Sequence, residues 1–226
     1  SLKHYHALIN MALIVQKYGG RSLSTPERIK NIATRILNRK RAGDDLVIVV
    51  SAMGNQTDEL MALANKISKA PPARELDMLL SSGERISMSL LSMALHQLGQ
   101  SAISFTGSQC GIVTDTSHTQ ASIVEIKGDR IKRELAQNKV VIVAGFQGVS
   151  VTKEVTTLGR GGSDITAVAL AVRLHAKRCE FYKDVDGIFT KDPHLHKDAK
   201  KLDQCDYGEV LKLAEQGARV LHPLAI

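Results

Sequence analysis

The chain has 226 residues, 43% of them apolar, enough to bury one sizeable core as one large α/β domain or two small ones. Its net charge is +7, but with four Phe, four Tyr and no Trp it lacks the basic-aromatic stripe that tracks nucleic acid, and a small phosphate-bearing ligand accounts for the excess. Unbroken apolar runs such as 46–50 and 140–144 are strand-length, far below the roughly 20 residues that a bilayer span needs.

Residues 12–17 (ALIVQK) form a short apolar run ending at Gly19-Gly20, the pattern of a strand entering a tight turn. Ser24-Thr25-Pro26-Glu27 supplies a cap, a first-turn proline and an acidic residue. Ile29, Ile32, Ala33, Ile36 and Leu37 then space the buried face of a helix that Arg39-Lys40-Arg41 closes. Residues 46–51 (LVIVVS) are apolar on both faces, as in a parallel sheet covered on each side by helices. A helix is expected from about Gln56 to Lys69, stopping at Pro71-Pro72, and Arg74 to Leu98 is long helical sequence interrupted at Ser81-Ser82-Gly83.

Residues 101–106 and 140–146 are strand-like, with hairpin material between them around Gly111 to Gly128. Residues 156–164 (TTLGRGGSD) form a glycine-rich loop running into an apolar helix, 165–175, for which Ser163 or Asp164 is a natural cap. Residues 180–183 enter another loop, Asp184-Val185-Asp186-Gly187. Repeated strand, glycine loop and helix imply one doubly wound α/β domain, a three-layer αβα sandwich on a mostly parallel open sheet.

Met11 opens the first strand-like run, and residues 1–10 (SLKHYHALIN) read as a cloning remnant or disordered extension. The last residues, GARVLHPLAI, read as the end of an excised fragment. Three scattered cysteines (Cys110, Cys179, Cys205) without a C-x-x-C pair indicate neither a disulfide framework nor a thiolate zinc site, which fits a reducing cytoplasm.

In open parallel sheets, ligands bind at the carboxyl ends of strands. Four loops lie at such ends, carrying Lys17 with Gly19-Gly20, Ser51 with Gly54, Arg160 with Asp164, and Asp184 with Gly187. The N–H groups of Gly19 and Gly20 can form an anion nest, with Lys17 adding a point charge. The 156–164 loop matches neither the Walker nor the dinucleotide glycine pattern, and a plain glycine-rich connection is the competing reading. Cations and backbone dipoles without an obvious base suit a carboxylate acceptor, which is already ionised at neutral pH.

Seven stretches carry a resemblance: KYGGRS (17–22), VVSAMGNQTD (49–58), LLSSGER (79–85), VAGFQG (143–148), TTLGRGGSD (156–164), YKDVDGIFTKDP (182–193) and GARVLHP (217–223). Together and in this order, the chain resembles the aspartate kinases of the amino acid kinase family over 12–226. The resemblance implies ATP-dependent phosphorylation of the side-chain carboxylate of L-aspartate, with Mg2+ carried by ATP and no protein metal site. It implies that Lys17 neutralises the transferring phosphoryl group, with Gly19 and Gly20 holding phosphates and Asp164 orienting Lys17. Arg160 would clamp a substrate carboxylate, Glu84 would meet the amino group of aspartate, and Ser51 and Ser163 would contact substrate. Lys183, Asp184, Phe189, Lys191, Asp192 and Arg219 would line the nucleotide site. Full-length members of the family usually continue into ACT regulatory domains and form homo-oligomers, so residues 11–226 are expected to be a kinase domain ending before them.

The chain departs from the family pattern at Arg21, where a small hydroxyl residue is usual, at His194 for arginine, and at Arg219 for lysine. Arg21 either adds phosphate affinity or blocks the aspartate pocket. Besides the aspartate kinase, the sequence leaves open a kinase of another carboxylate and a nucleotide-binding module without catalysis. Purely structural roles compete with the functional ones: Glu84 as a partnered helix carboxylate, Asp186-Gly187 as a turn, and His194 and His196 as surface residues.

Overall fold

The computed structural model describes residues 12–184, 187–191, 196–215 and 225–226. In chain order its elements begin with β1 (Leu13–Tyr18), a 3-10 turn (Gly20–Leu23), α1 (Pro26–Arg41), β2 (Asp45–Val50), α2 (Gln56–Ile67), α3 (Ala73–Leu80) and α4 (Ser82–Gln97). There follow β3 (Ala102–Phe105), α5 (Gly107–Cys110), β4 (Ile112–Thr114), β5 (Ile123–Ile126), α6 (Asp129–Leu135) and β6 (Val140–Ala144). Then come β7 (Gln147–Ser150), β8 (Val155–Thr157), α7 (Gly162–Leu174), β9 (Arg178–Tyr182), β10 (Ile188–Phe189), β11 (Lys201–Leu202) and α8 (Tyr207–Glu215).

Five strands form one sheet in the order β3-β6-β2-β1-β9, every neighbouring pair parallel. Strand alternation divides the core into two layers. Ile14, Ile48 and Ile142 pack with Ile29, Ile32 and Ile36 of α1 and Leu91 and Leu95 of α4 on one face. Val15, Val47 and Val141 pack with Ile131 of α6 and Ala167, Leu170 and Leu174 of α7 on the other. Being covered on both sides is what makes 46–50 uniformly apolar, and all five residues are buried. This is the expected three-layer αβα sandwich.

The α1 start follows its sequence signature: Thr25 accepts from Arg28 N–H at 3.3 Å, and Pro26 occupies the first turn. The expected hairpin is the antiparallel β4–β5 pair. It belongs to a second, four-stranded sheet, β5-β4-β7-β8, whose β7 and β8 have no counterpart among the strands expected from the sequence. Strands of three or four residues with polar content, QGVS and VTT, carry too short an alternation to register as a period.

The cap of α7 differs from expectation. Gly161, at φ 76°, is the N-cap, and Ser163 and Asp164 lie inside the first turn. A left-handed residue turns the chain sharply into the helix, and glycine adopts it without a Cβ penalty. The Asp164 side chain is thereby freed from capping and turned to other partners.

Candidate active site

At the carboxyl ends of β1, β2 and β6 lies a cavity of about 430 Å3, against which β1, α4 and the first turn of α7 place their charged groups. Lys17, Gly20, Ser51, Glu84, Arg160, Ser163 and Asp164 all line it. These residues come from four separate stretches of the sequence and meet because parallel strands end on the same edge of the sheet.

Lys17 is the penultimate residue of β1 and is 6% exposed. Its ammonium forms an ion pair with Asp164 Oδ1 at 2.7 Å, and Lys183 Nζ donates to Asp164 Oδ2 at 2.7 Å. Burial lowers the pKa of Lys17 from its ordinary value, while Asp164 opposes the shift. Burial alone would raise Asp164, but Lys17 and Lys183 outweigh it and hold the carboxyl below the usual range. One buried carboxylate thus secures two cations, Lys17 lining the cavity and Lys183 in the neighbouring cleft.

Glu84 sits in the first turn of α4 and is 2% exposed. Its Oε1 accepts from Ala52 N–H at 3.0 Å, whereas Oε2 is buried with no hydrogen-bond partner among the described residues. Burial pushes its pKa up to about 7. A buried oxygen of this kind is costly to leave unpaired, and it suits a cationic ligand group at the cavity. Arg160 stands opposite in chemistry: its side chain is exposed, with no hydrogen bond or ion pair among the described residues. A planar guanidinium so presented can take a carboxylate by two parallel bonds.

The expected nest at Gly19-Gly20 is not formed as drawn. Gly19 N–H donates to Tyr182 O at 3.1 Å, and neither glycine has a positive φ. Gly20 answers to a different demand, since a Cβ there would lie 2.7 Å from Ala52 O and 2.9 Å from Gly54 O. Glycine lets the β1 and β2 loops touch, with Gly54 N–H donating to Gly20 O at 2.9 Å.

Arg21 does not line the cavity; its guanidinium pairs with Asp184 Oδ2 at 2.6 Å. Of the other residues expected at a nucleotide site, Lys183 reaches the cavity edge through Asp164. Phe189 lies in β10, paired with β11, and Lys191 forms an exposed ion pair with Asp198 at 2.8 Å. Asp192 and Arg219, like Asp186, His194 and residues 1–10, lie outside the described residues. Two lining residues, Thr57 and Phe146, are not among the candidates that the sequence supplies: both fall inside resemblance-bearing stretches, but a lone threonine and a loop phenylalanine carry no chemical signature. Among the described residues there is no group of three or more His, Cys, Asp or Glu placed to hold a metal ion.

The sequence profile of the Amino acid kinase family matches residues 12–226. The chain belongs to the amino acid kinase family. Among curated relatives, it is 53% identical over 216 residues to an aspartokinase of Bacillus sp. strain MGA3, covering 96% of this chain and 53% of that one. It is 54% identical over 212 residues to the aspartokinase of Corynebacterium glutamicum, covering 93% and 50%. The chain therefore spans about half the length of the curated relatives it matches.

Solved structures agree in fold. The aspartate kinase of Synechocystis superimposes with a TM-score of 0.84 at 50% identity, covering 94% of this chain and 35% of that one. E. coli aspartokinase III, in complex with aspartate and ADP, superimposes with a TM-score of 0.85 at 27% identity, covering 94% and 58%.

Proposed function

We propose that this chain carries the kinase machinery for ATP-dependent phosphorylation of the side-chain carboxylate of L-aspartate, giving ADP and 4-phospho-L-aspartate. The reaction opens the route to the aspartate-derived amino acids, lysine among them. The observation that carries this reading is the convergence, on one cavity, of the Lys17–Asp164 pair, which Lys183 joins from the neighbouring cleft, with the unpaired Oε2 of Glu84 and the unengaged guanidinium of Arg160. The aspartokinase relatives, and the aspartate and ADP held by the E. coli neighbour, support the choice of acceptor and donor.

In this reading the substrate carboxylate attacks the γ-phosphoryl group directly, because a carboxylate with a pKa of about 4 needs no base at neutral pH. Lys17 neutralises the charge that spreads over the moving phosphoryl oxygens, and Asp164 fixes the direction of its ammonium. Arg160 pairs with the acceptor's carboxylate, and Glu84 accepts from its ammonium group. Lys183 adds positive charge on the donor side. Mg2+ would be carried by ATP and not by a cluster of this chain's described residues, and when bound it would offset phosphate charge. Three unbridged cysteines suit a cytoplasmic setting.

Hydroxylamine trapping of acyl phosphate tests the proposal, using the chain with ATP, Mg2+ and either L-aspartate or L-glutamate. Hydroxamate from aspartate alone is the expected result. No hydroxamate from either acid, in protein shown to be folded, would refute it for this chain and favour nucleotide binding without catalysis.

A further inference from the structure

Three carboxylates are buried among the described residues: Asp77, Glu84 and Asp164. The latter two face the cavity, and Asp77 does not. Asp77 lies on α3 and is 0% exposed, yet its oxygens are fully engaged. Oδ1 accepts from Thr157 Oγ1 at 2.5 Å, both oxygens accept from Thr119 N–H at 3.1 Å, and His118 Nδ1 lies 2.6 Å from Oδ2. A buried carboxylate is retained at such cost only where several donors meet it.

These donors belong to two segments that lead to the cavity. Thr157 closes β8, and the residues after it, 158–162, carry Arg160. Thr119 holds a left-handed backbone, φ 68°, and its carbonyl oxygen lies 3.2 Å from where a Cβ on Gly159 would be. Ala121 N–H donates to Thr157 O at 2.9 Å, fastening the same two segments again. From the opposite side, Leu158 N–H donates to Phe146 O at 2.9 Å. The arginine loop is therefore gripped between the 115–122 loop and the β6–β7 turn, and Asp77 fixes the first of these to α3. Because the Arg160 side chain has no partner among the described residues, its position depends on its backbone.

We propose that Asp77, with His118 and Thr157, is a positioning cluster for the acceptor half of the site. It acts through the backbone of residues 158–162 to hold Arg160 at the cavity, and so sets affinity for the carboxylate acceptor without touching either substrate. The donor half leans on it less, since Lys17 and Lys183 stand on β1 and directly after β9 in the other sheet and their shared partner Asp164 lies in the helix that follows the loop. The identity of the acceptor rests on the kinase reading above; the mechanical coupling does not.

Thr157→Val removes one donor while keeping the branched shape, and Asp77→Asn keeps the volume and one acceptor. In the ligand-free chain, amide exchange of a peptide covering 156–164 is expected to speed up about tenfold in both variants, with β1 and β2 unchanged. In turnover, the KM for L-aspartate is expected to rise about tenfold, with kcat and the KM for ATP held within about twofold. Unchanged exchange at 156–164 in the folded variants would overturn the proposal. So would kcat and both KM values moving in step with a global loss of protection. If the parent chain forms no hydroxamate with aspartate, the kinase reading fails, and the exchange measurement still decides the positioning role.

Discussion

Lys17 and Asp164 form a buried ion pair of 2.7 Å between the end of β1 and the first turn of α7, and Lys183 holds the second oxygen of the same carboxylate. The two ends of the pair are not equivalent. Without Lys17, Asp164 keeps one cation; without Asp164, two ammonium groups lose their shared counter-charge. Lys17→Met is therefore expected to leave stability nearly intact while lowering kcat by about 10²–10³. Asp164→Ala is expected to cost about 3 kcal/mol of stability and abolish turnover. Urea denaturation beside single-turnover kinetics separates the two.

Glu84 gives a pH-dependent prediction with a definite sign. Its carboxyl is pushed up to about 7 in the folded chain, from 4.5. The folded chain keeps a proton that the unfolded chain releases in that interval, so this group's contribution is complete below 4.5 and lost as pH rises through 7. Glu84→Gln is expected to be more stable than the parent by about 2 kcal/mol near pH 8, with the difference closing near pH 5. The parent's KM for aspartate should fall as pH rises through 7, and the variant should lose that dependence along with most of its affinity. Denaturation curves and initial rates across this range check both.

Arg160 is presented to the cavity without a competing partner among the described residues, so its fork is available to a ligand. Arg160→Lys keeps the charge and loses the paired geometry. The expected result is a rise in KM for aspartate of about tenfold to a hundredfold, with the KM for ATP unmoved. Steady-state kinetics with each substrate varied in turn decides it.

Arg21 spans from the 3-10 turn to Asp184, and its side chain is 76% exposed. An ion pair so wet contributes little, and Arg21→Thr is expected to change stability by less than about 0.5 kcal/mol. Aspartate turnover should persist, because Arg21 does not enter the cavity. A marked gain in affinity for aspartate in the variant would show instead that Arg21 obstructs the acceptor.

The central sheet is legible in the sequence because its strands are buried on both faces, which leaves runs such as 46–50 and 140–144 with no polar interruption. Lys17, Glu84, Arg160 and Asp164 are legible because each sits beside glycine at the end of a strand or in a distinctive motif. What escapes depends on long-range geometry. Gly19 looks like a phosphate donor until Tyr182 O takes its N–H, and Asp164 looks like a cap until Gly161 turns the chain into the helix ahead of it. Asp77 carries no local signal of its burial, since its three partners lie at 118, 119 and 157.

The pairing of β1 with β9 has a consequence for synthesis. Gln16 and Glu180, hydrogen-bonded at 2.8 Å across these strands, are 164 positions apart. During translation the first strand emerges long before its outer neighbour exists, and it must wait while β2, β6 and β3 assemble on its other side. Closing so long a loop is entropically slow, and contacts of such separation come late. Lys183 follows β9 directly, so the second cation on Asp164 reaches the site only with that last strand. A partly made chain can thus be folded over most of its core and still lack the second cation on Asp164.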